Sequence, residues 1–436
     1  MILLGILIQV ALHFSIKNDG YPVPPPSPAL SWLSTSFLTG FFPTLLIAPI
    51  AYMWHVTDWA LRWFQPYVSM AKGDAKAEDS VLLDYIAMNK LFGIWHSYRR
   101  KHWLVFVTMV IGFTTNLFQP LAGAVLSVKP IPRPQNITVK STTTIGLSPD
   151  VNDLNAFFAA AGFSEAAAFQ GLPDPPFVHE GWAAAQIEPP KSPGLNASLQ
   201  WNTTGLQTQA NCATANSLNF TLISTDSASI QASMPNGCTG SVTFNPLSAD
   251  QQYGSSPADP TTCGIDKNTP QQFLPVFFWF YHMRDDVKQP QARGVICQPT
   301  IKVFNAQVFL DLSNSNITNV TLIDEYTTAN NVTGGDLQGR AFNAVLLDSL
   351  AGNNSFIQAR ATSVRAGIPG AAFRLASQDP RGLDAEFDDE TAFFRMINKI
   401  YTQHLSVSAK SIYFVPNTGE ELSAIKTSLT DRLIVE

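Results

Sequence analysis

Residues 103–128 read WLVFVTMVIGFTTNLFQPLAGAVLSV and contain no charged side chain. As a helix rising about 1.5 Å per residue, this 26-residue stretch would exceed the ~30 Å apolar thickness of a bilayer. The stretch also marks a boundary, because all four cysteines and all eight Asn-x-Ser/Thr sequences lie after it. The sequence therefore predicts a transmembrane helix followed by a large exoplasmic domain.

Two further apolar segments precede this one. Residues 29–57 are uncharged, and Pro43 and Pro49 would kink a helix there without preventing insertion. Residues 1–16 fit a signal peptide, a short span or a span whose start is missing; the lack of a small-x-small cleavage site favours a span. We therefore expect an integral membrane protein with an α-helical transmembrane unit. Its three predicted spans are about 1–16, 34–56 and 103–126.

The cationic residues give this predicted unit an orientation. The loop 58–102 carries seven Lys and Arg side chains, whereas the loop 17–28 carries only Lys17, so the positive-inside rule makes the loop 58–102 cytoplasmic. Residues 129–436 are then exoplasmic, at the plasma membrane or another secretory-pathway membrane. We expect three domains: the membrane unit 1–128, a glycosylated domain 129–364 and a C-terminal helical segment 365–436.

Part of the predicted cytoplasmic loop has the pattern of an amphipathic helix. Apolar residues recur at near-helical spacing between Ser80 and His102. They are Leu82, Tyr85, Ile86, Phe92 and Trp95. A basic cluster follows at Arg99, Arg100 and Lys101, which favours an interfacial helix over anionic lipid. A helix packed against the other spans is the alternative.

The cysteines and the sequons indicate an oxidising, glycosylating compartment. Cys212, Cys238, Cys263 and Cys297 show neither C-x-x-C nor metal-ligand spacing, so two disulfides are expected rather than four reduced thiols. Sequence alone leaves three connectivities open, and the shortest loops favour Cys212–Cys238 and Cys263–Cys297. Eight asparagines are predicted to be glycosylated. They are Asn136, Asn196, Asn202, Asn219, Asn316, Asn319, Asn331 and Asn353.

Charge and composition exclude several classes of function. Residues 1–128 hold 8 Lys/Arg against 6 Asp/Glu, and the remainder holds 19 against 27, so the predicted exterior is acidic and nucleic acid is not an expected partner. None of the seven histidines pairs with another in a metal-binding motif, and no phosphate-binding loop is present. We therefore expect no metal and no cofactor.

Residues 129–436 have the pattern of a mixed, β-rich α+β domain. Strands are expected at 137–145, 218–224, 240–244, 295–312 and 317–323. Helices are expected at 150–170, 339–350 and 388–404. The apolar stretch 273–283 is too short to span a membrane and is either a core strand or a core helix.

Two groups of residues could belong to a binding or catalytic site. His179 and Glu180 beside Trp182 could form part of a carbohydrate-binding groove, although an aromatic residue in a loop is more often a packing anchor. Asp388-Asp389-Glu390 could supply the paired carboxylates of a glycoside hydrolase, although three anions also suit a helix N-terminus.

Several short motifs of the first 128 residues resemble one known family. The motifs are Phe42-Pro43-Thr44-Leu45, Asp58 with Arg62, Gln65-Pro66, Leu82-Leu83-Asp84-Tyr85 and His102-Trp103. Over about residues 30–128 they resemble the fungal membrane-protein family of the domain of unknown function 3433. The resemblance implies a unit that is often repeated around a glycosylated ectodomain, and this chain resembles a shortened member. It implies no biochemical activity.

Together these features lead to an expectation about function. We expect a multi-pass membrane protein with a large glycosylated domain and a recognition or structural role at the cell surface or in the secretory pathway. Cell-wall glycan or another surface protein would be its partner, beside the lipid bilayer. The alternative is a membrane-anchored lumenal enzyme such as a carbohydrate-active hydrolase.

Overall fold

The computed structural model divides the chain into two compact units. One unit, called the helical unit, comprises residues 1–133 and 429–436, and the other, called the β-rich unit, comprises residues 134–428. The described residues are 2–23, 37–71, 73, 76–146, 154–191, 196–284, 288–326, 340–346, 354–417 and 419–435.

Eight α-helices are present in the described part of the chain. They are α1 (Ile2–Lys17), α2 (Phe42–Ala71), α3 (Lys90–Arg99), α4 (Trp103–Ala124), α5 (Asn155–Gln170), α6 (Ser355–Gln378), α7 (Leu383–Asp388) and α8 (Ala392–Ile412). A π-helical turn, Phe37–Phe41, leads into α2.

Eighteen β-strands accompany these helices in the same described ranges. The first nine are β1 (Tyr21–Pro22), β2 (Leu126–Lys140), β3 (Thr143–Ile145), β4 (Val178–His179), β5 (Trp182–Ala184), β6 (Ser198–Gln209), β7 (Cys212–Thr214), β8 (Ser217–Ser224) and β9 (Ser227–Ser233). The others are β10 (Thr239–Phe244), β11 (Tyr253–Pro257), β12 (Val276–Met283), β13 (Pro290–Cys297), β14 (Thr300–Asp311), β15 (Asn316–Glu325), β16 (Arg340–Ala341), β17 (Phe414–Pro416) and β18 (Glu421–Val435).

The predicted fold class of three membrane spans is wrong. Among the residues that can be described, no helix is both long enough and apolar enough to cross a membrane. The 16 residues of α1 extend about 24 Å, less than the ~30 Å of an apolar bilayer core. In α2 the apolar first half is followed by the buried polar side chains of Asp58 and Arg62.

In the helical unit, α4 packs against both α2 and α3. A small apolar cluster of Leu83, Tyr85, Val105 and Met109 fills the contact between α4 and the segment before α3. The short strand β1 pairs with the end of β18, where Tyr21 lies opposite Leu433. The predicted helix across Ser80–His102 is wrong in its first half, because only Lys90–Arg99 is helical.

The β-rich unit mixes helices with several antiparallel sheets. The largest has the strand order β18-β6-β14-β15, a second has the order β11-β12-β13-β7, and a third has the order β10-β9-β8. Asn236 and Gly237 form the turn between β9 and β10, where Gly237 has a φ of +85°. Of the predicted helix 339–350, the described residues 340–346 contain the short strand β16 instead.

Strand β12 (VFFWFYHM) lies between two apolar clusters of this unit. Its first six residues are buried, and alternate side chains point to opposite faces of a strand. Val276, Phe278 and Phe280 pack in the cluster that contains α6 and α8. Phe277 and Trp279 pack in the cluster that contains β9 and β10. A strand covered on both faces has to be apolar throughout, which explains its continuous apolar sequence.

Candidate functional site

The buried side of α2 is polar. After Thr44, four of the described side chains of α2 are buried: Asp58, Arg62, Gln65 and Ser69. Their 4-3-4 spacing puts them on one face of the helix. Arg62 Nη2 lies 2.8 Å from Asp58 Oδ2. Gln65 Nε2 donates to Ser69 Oγ at 3.5 Å. These pairs give several of the buried polar atoms a partner, whereas Asp58 Oδ1 has none among the described residues.

Small and polar residues of α4 are buried in the same unit. Thr108, Gly112 and Thr115 recur at 4-3 spacing, and a Cβ at Gly112 would lie 3.5 Å from the Asp58 carboxyl group. Both threonines donate to carbonyl groups of their own helix, Thr108 to Leu104 O at 3.1 Å and Thr115 to Gly112 O at 2.9 Å. A larger residue in place of Gly112 would therefore meet the Asp58–Arg62 ion pair.

A second polar contact joins the segment before α3 to the start of α4. The Tyr85 hydroxyl lies 2.7 Å from His102 Nδ1. Burial raises the pKa of Tyr85 to about 12, so its hydroxyl stays protonated. Arg100 Nη1 lies 3.0 Å from Asp79 Oδ1 and also donates to the Glu78 carbonyl. Arg100, which belongs to the predicted basic cluster, therefore already has an ion-pair partner and a hydrogen-bond partner within the protein.

Helix α3 exposes four of its large apolar residues, half-buries Ile94 and buries its small residues. Phe92 and Trp95 are 73% and 64% exposed, and Leu91 and Tyr98 are exposed beside them. The buried residues of α3 are Gly93 and Ser97, and Gly93 lies against Met109 of α4. This arrangement inverts the usual amphipathic helix of a protein in water, where the apolar stripe faces the core.

An aromatic cluster with two exposed cations lies at the end of α3. The rings of Tyr98 and Trp103 meet edge to face at 5.6 Å. Phe106 packs 5.4 Å from Tyr98 and 5.9 Å from Trp103. Arg99 and Lys101 are exposed next to this cluster. Aromatic rings beside cationic side chains are typical of positions at a membrane–water interface.

The β-rich unit contains two disulfides, as predicted, but the favoured pairing is wrong. The bridges are Cys212–Cys297 and Cys238–Cys263. Cys212 and Cys297 are direct cross-strand neighbours on β7 and β13. The strand register therefore brings together two cysteines separated by 85 positions, which the short-loop argument disfavoured.

The predicted glycosylation sites lie on the surface wherever they can be described. Asn136, Asn196, Asn202, Asn219 and Asn319 are exposed, and Asn316 is half-buried. Asn331 and Asn353 lie outside the described residues. Asn202 lies on β6, and Gln307 of β14 donates to its Oδ1 at 3.2 Å.

His179 and Glu180 lie at the β4–β5 hairpin, where they meet a residue that the sequence did not suggest. His179 Nδ1 is 3.7 Å from Asp174 Oδ2, and the backbone N–H of Glu180 donates to the same oxygen at 3.2 Å. Gln403 Nε2 of α8 donates to Asp174 Oδ1 at 2.8 Å. Trp182 instead packs against the ring of Phe304 at 5.6 Å, as a packing anchor does.

An open cleft of ≈ 610 Å³ adjoins this hairpin. Its wall includes Asp174 and Glu180 on one side and Lys399 and Thr402 of α8 on the other. Glu180 and Gly181 have φ of +44° and +87°, and a Cβ at Gly181 would lie 2.8 Å from the Thr208 carbonyl oxygen. The hairpin is therefore held tightly beside the cleft, with the Glu180 carboxylate exposed.

The acidic triplet at 388–390 does not form a carboxylate pair of the catalytic kind. Asp388 ends α7, where Gln291 and Arg284 donate to it. Asp389 precedes α8 and accepts hydrogen bonds from Thr391 and Arg395. These bonds lower the pKa of Asp389 to about 2, with the Thr391 backbone N–H as the largest cause. Asp389 therefore stabilises the start of α8, as the helix N-terminus interpretation predicts.

Two buried titratable residues of α8 were not identified from the sequence. His404 is fully buried, and burial lowers its pKa to about 4. Burial likewise lowers the pKa of Lys410 to about 7, where the amine donates to the Ala184 carbonyl and lies 4.5 Å from the Phe414 ring. The 3-4 spacing of the buried Ile397, Ile400, Tyr401 and His404 is the signal that could have revealed His404.

Comparisons with known proteins place the family resemblance in the helical unit alone. Residues 37–127 match the model of a family described as Protein of unknown function (DUF3433), which confirms the resemblance. No curated protein and no solved structure matches the chain. Several of the matched motifs are the polar contacts described above, including the Asp58–Arg62 ion pair and the Tyr85–His102 hydrogen bond. The matched segment is thus a helical unit with buried polar contacts and an apolar exterior.

Proposed function

We propose that this chain is a membrane-associated recognition or structural protein of the secretory pathway or cell surface. Its helical unit contacts lipid through the exposed apolar residues of α2 and α3. Its β-rich unit is exoplasmic, carries N-linked glycans and binds a partner such as a cell-wall glycan or another surface protein. The proposal combines the inverted surface of the helical unit with the disulfides and sequons of the β-rich unit.

The inverted helix α3 is the observation that carries the lipid contact. In water, exposed Phe92 and Trp95 lose the free energy that burial provides, about 25 cal/mol per Å² of apolar surface. Against acyl chains this cost disappears, and small residues such as Gly93 and Ser97 let helices approach closely. Helix α2 follows the same rule, because Trp59, Trp63 and Phe64 are exposed while Asp58 and Arg62 are buried.

Charge complementarity favours lipid over an apolar protein surface as the partner. Arg99 and Lys101 flank the aromatic cluster, so their cationic groups can reach lipid phosphates while the rings rest in the headgroup region. Arg100 contributes less, because Asp79 and the Glu78 carbonyl already hold it. Anionic lipid is therefore the expected preference, with Arg99 and Lys101 as its main contacts.

The exoplasmic placement of the β-rich unit rests on its covalent chemistry. Disulfides persist in oxidising compartments, and both bridges of this chain lie in the β-rich unit. Five of its sequon asparagines are exposed and so accessible for modification. These features fit a lumenal or extracellular unit.

Vesicle flotation of the full chain tests the lipid contact. The double variant Phe92→Ser/Trp95→Ser should lose binding to vesicles that contain phosphatidylserine, because it removes the two most exposed rings of α3. Leu222→Ser/Ile223→Ser is the matched control, since these residues of β8 are similarly exposed in the β-rich unit. If both variants float equally well with the vesicles, the proposed lipid surface is refuted. It is also refuted if only the control variant loses binding to the vesicles.

A second candidate function, an exoplasmic glycoside hydrolase, is favoured by one observation. Asp174 and Glu180 place two carboxylates on the wall of one cleft, and glycoside hydrolysis uses such a pair. The test is a screen of the full chain against glycoside substrates. Turnover that Asp174→Asn and Glu180→Gln each abolish would establish the enzyme, whereas saturable glycan binding without turnover would favour recognition.

A further inference from the structure

One face of the largest sheet carries an open groove whose wall contains two sequon asparagines. The groove has a volume of ≈ 540 Å³, within the range of roughly 300–1,000 Å³ typical of small-molecule sites. Asn136 and Asn202 both line it. An N-linked glycan attached at either asparagine would therefore begin inside the groove.

Strand periodicity shows that the groove is a continuous sheet face. Its polar lining residues on β2 and on β6 lie two positions apart, as side chains on one face must. They are Asn136 and Thr138 on β2, Ser423 on β18, Gln200 and Asn202 on β6, and Gln307 on β14. The intervening Trp201 and Ala424 pack in the apolar cluster on the opposite face.

The strand register places the lining residues around Asn202. Gln307 lies directly opposite Asn202 on β14, and Ile425 lies opposite Gln200 on β18. The Gln307 amide donates to Asn202 Oδ1, which fixes the asparagine side chain and leaves Nδ2 for the sugar. Gln200 and Thr138 offer hydrogen-bond partners for sugar hydroxyl and N-acetyl groups, and Ile425 offers an apolar surface for the ring C–H groups.

We propose that the first sugars of an N-linked glycan on Asn202 lie in this groove, against Gln200, Thr138 and Ile425, and stabilise the sheet. The glycan comes from a polyprenyl pyrophosphate donor. The bond between Asn202 Nδ2 and sugar C1 forms, the C1–oxygen bond to pyrophosphate breaks, and the amide proton leaves with the pyrophosphate. This inference rests on the proposed exoplasmic location.

The test separates the glycan from the side chain that carries it. The full chain is expressed in a glycosylating eukaryotic host as wild type, as Thr204→Ala, which destroys the sequon but keeps Asn202, and as Thr204→Ser, which keeps the sequon. Asn219 on β8 is exposed outside the groove, so Thr221→Ala and Thr221→Ser serve as matched controls. Mass spectrometry gives the occupancy of each site, and endoglycosidase digestion of the folded protein gives its accessibility.

The expected result is a difference between the two sites. The glycan on Asn202 should be cleaved about tenfold more slowly than that on Asn219, equivalent to about 1.4 kcal/mol of protection. Thr204→Ala should lower the melting temperature by about 2–4 °C relative to Thr204→Ser, while the Thr221 pair should melt alike.

Three other outcomes would overturn the inference, and they differ in what they say about the proposed function. If Asn202 is occupied but cleaved as fast as Asn219, with no melting difference for the Thr204 pair, the groove does not hold the glycan. If Asn219 is occupied and Asn202 is not, the inference fails and the exoplasmic location stands. If no sequon is occupied in the folded protein, the exoplasmic location fails as well.

Discussion

His404 is a fully buried histidine whose neutral form the fold requires. Its Nε2 lies 3.0 Å from the Ala344 carbonyl oxygen, so the neutral ring donates a hydrogen bond there. Burial lowers its pKa from 6.5 to about 4, and the carbonyl groups of Ala344 and Ala160 oppose part of that effect. Since the folded pKa lies below the unfolded one, this residue's contribution to stability is fully present above pH 6.5. It is lost as the pH falls toward 4.

Replacing this histidine should remove part of the acid sensitivity of the β-rich unit. Between pH 7.5 and 4, the free energy of unfolding of the wild type should fall by about 3 kcal/mol more than that of His404→Gln, because only the histidine takes up a proton on unfolding. Urea denaturation of both proteins at the two pH values measures the difference. Parallel pH profiles would show that His404 is not held neutral.

Lys410 should produce a pH dependence of the same direction as His404, but on the alkaline side. Burial lowers its pKa from 10.5 to about 7, against the attraction of the nearby ring faces of Phe177 and Phe414. The unfolded chain binds a proton that the folded chain lacks, so stability rises with pH between about 7 and 10.5. Between pH 7 and 9.5, the free energy of unfolding of the wild type should rise by about 3 kcal/mol more than that of Lys410→Met. A constant difference over that interval would contradict this assignment.

Titratable residues were singled out from the sequence by the residues next to them in the chain. This explains which of them were found and which were missed. His179 and Glu180 stood out because they are adjacent, but their partner Asp174 lies in a preceding loop and Gln403 comes from a distant helix. His404 was missed because a solitary histidine has no motif. Its buried state depends on the packing of α8 against the rest of the unit.

The two disulfides join elements of different separation in the chain, so their removal should have different costs. The bridge Cys212–Cys297 closes a loop across 85 positions, and Cys238–Cys263 closes one across 25. The chain-entropy relation gives a stabilisation of about 4.6 kcal/mol for the longer loop and about 3.5 kcal/mol for the shorter one. Cys212→Ser/Cys297→Ser should therefore lower the free energy of unfolding by about 1 kcal/mol more than Cys238→Ser/Cys263→Ser. Denaturant titration of the two double variants tests this order. A larger loss with Cys238→Ser/Cys263→Ser would show that loop entropy does not dominate here.

The number of bridges could be predicted from the sequence, whereas their pairing could not. Cys212 and Cys297 meet because β7 pairs with β13, a pairing between strands that lie far apart in the chain. The same limit applied to the stretch 273–283, where composition indicated a core element but left helix and strand open. Its antiparallel pairing with β11 and β13 settles it as a strand.

Within the helical unit, helix α2 reverses the polarity that the β-rich unit shows. In the β-rich unit, clusters of buried aliphatic and aromatic side chains form the core. In the helical unit, Asp58, Arg62, Gln65 and Ser69 are buried, while Trp59, Trp63 and Phe64 are exposed. Such an arrangement is what the proposed lipid contact requires, because polar groups in an apolar environment must find partners inside the protein.

Sequence predicted this apolar character but interpreted it as three spans. A run of uncharged residues reports composition, which both a membrane span and an apolar protein surface share. What the sequence could not show is where the helices end and which side chains face outward. The inversion of α3 depends on Gly93 contacting Met109, a packing contact that no hydropathy pattern contains.

Photo-crosslinking from lipid to protein tests the central claim, that the helical unit contacts lipid, most directly. The full chain is expressed in membranes that carry a diazirine-labelled phospholipid, irradiated, and mapped by mass spectrometry. We expect crosslinks at the exposed residues of α3, above all at Phe92 and Trp95. We expect none at Leu222 and Ile223 of β8, which are similarly exposed. Crosslinks to Leu222 and Ile223 with none on α3 would contradict it.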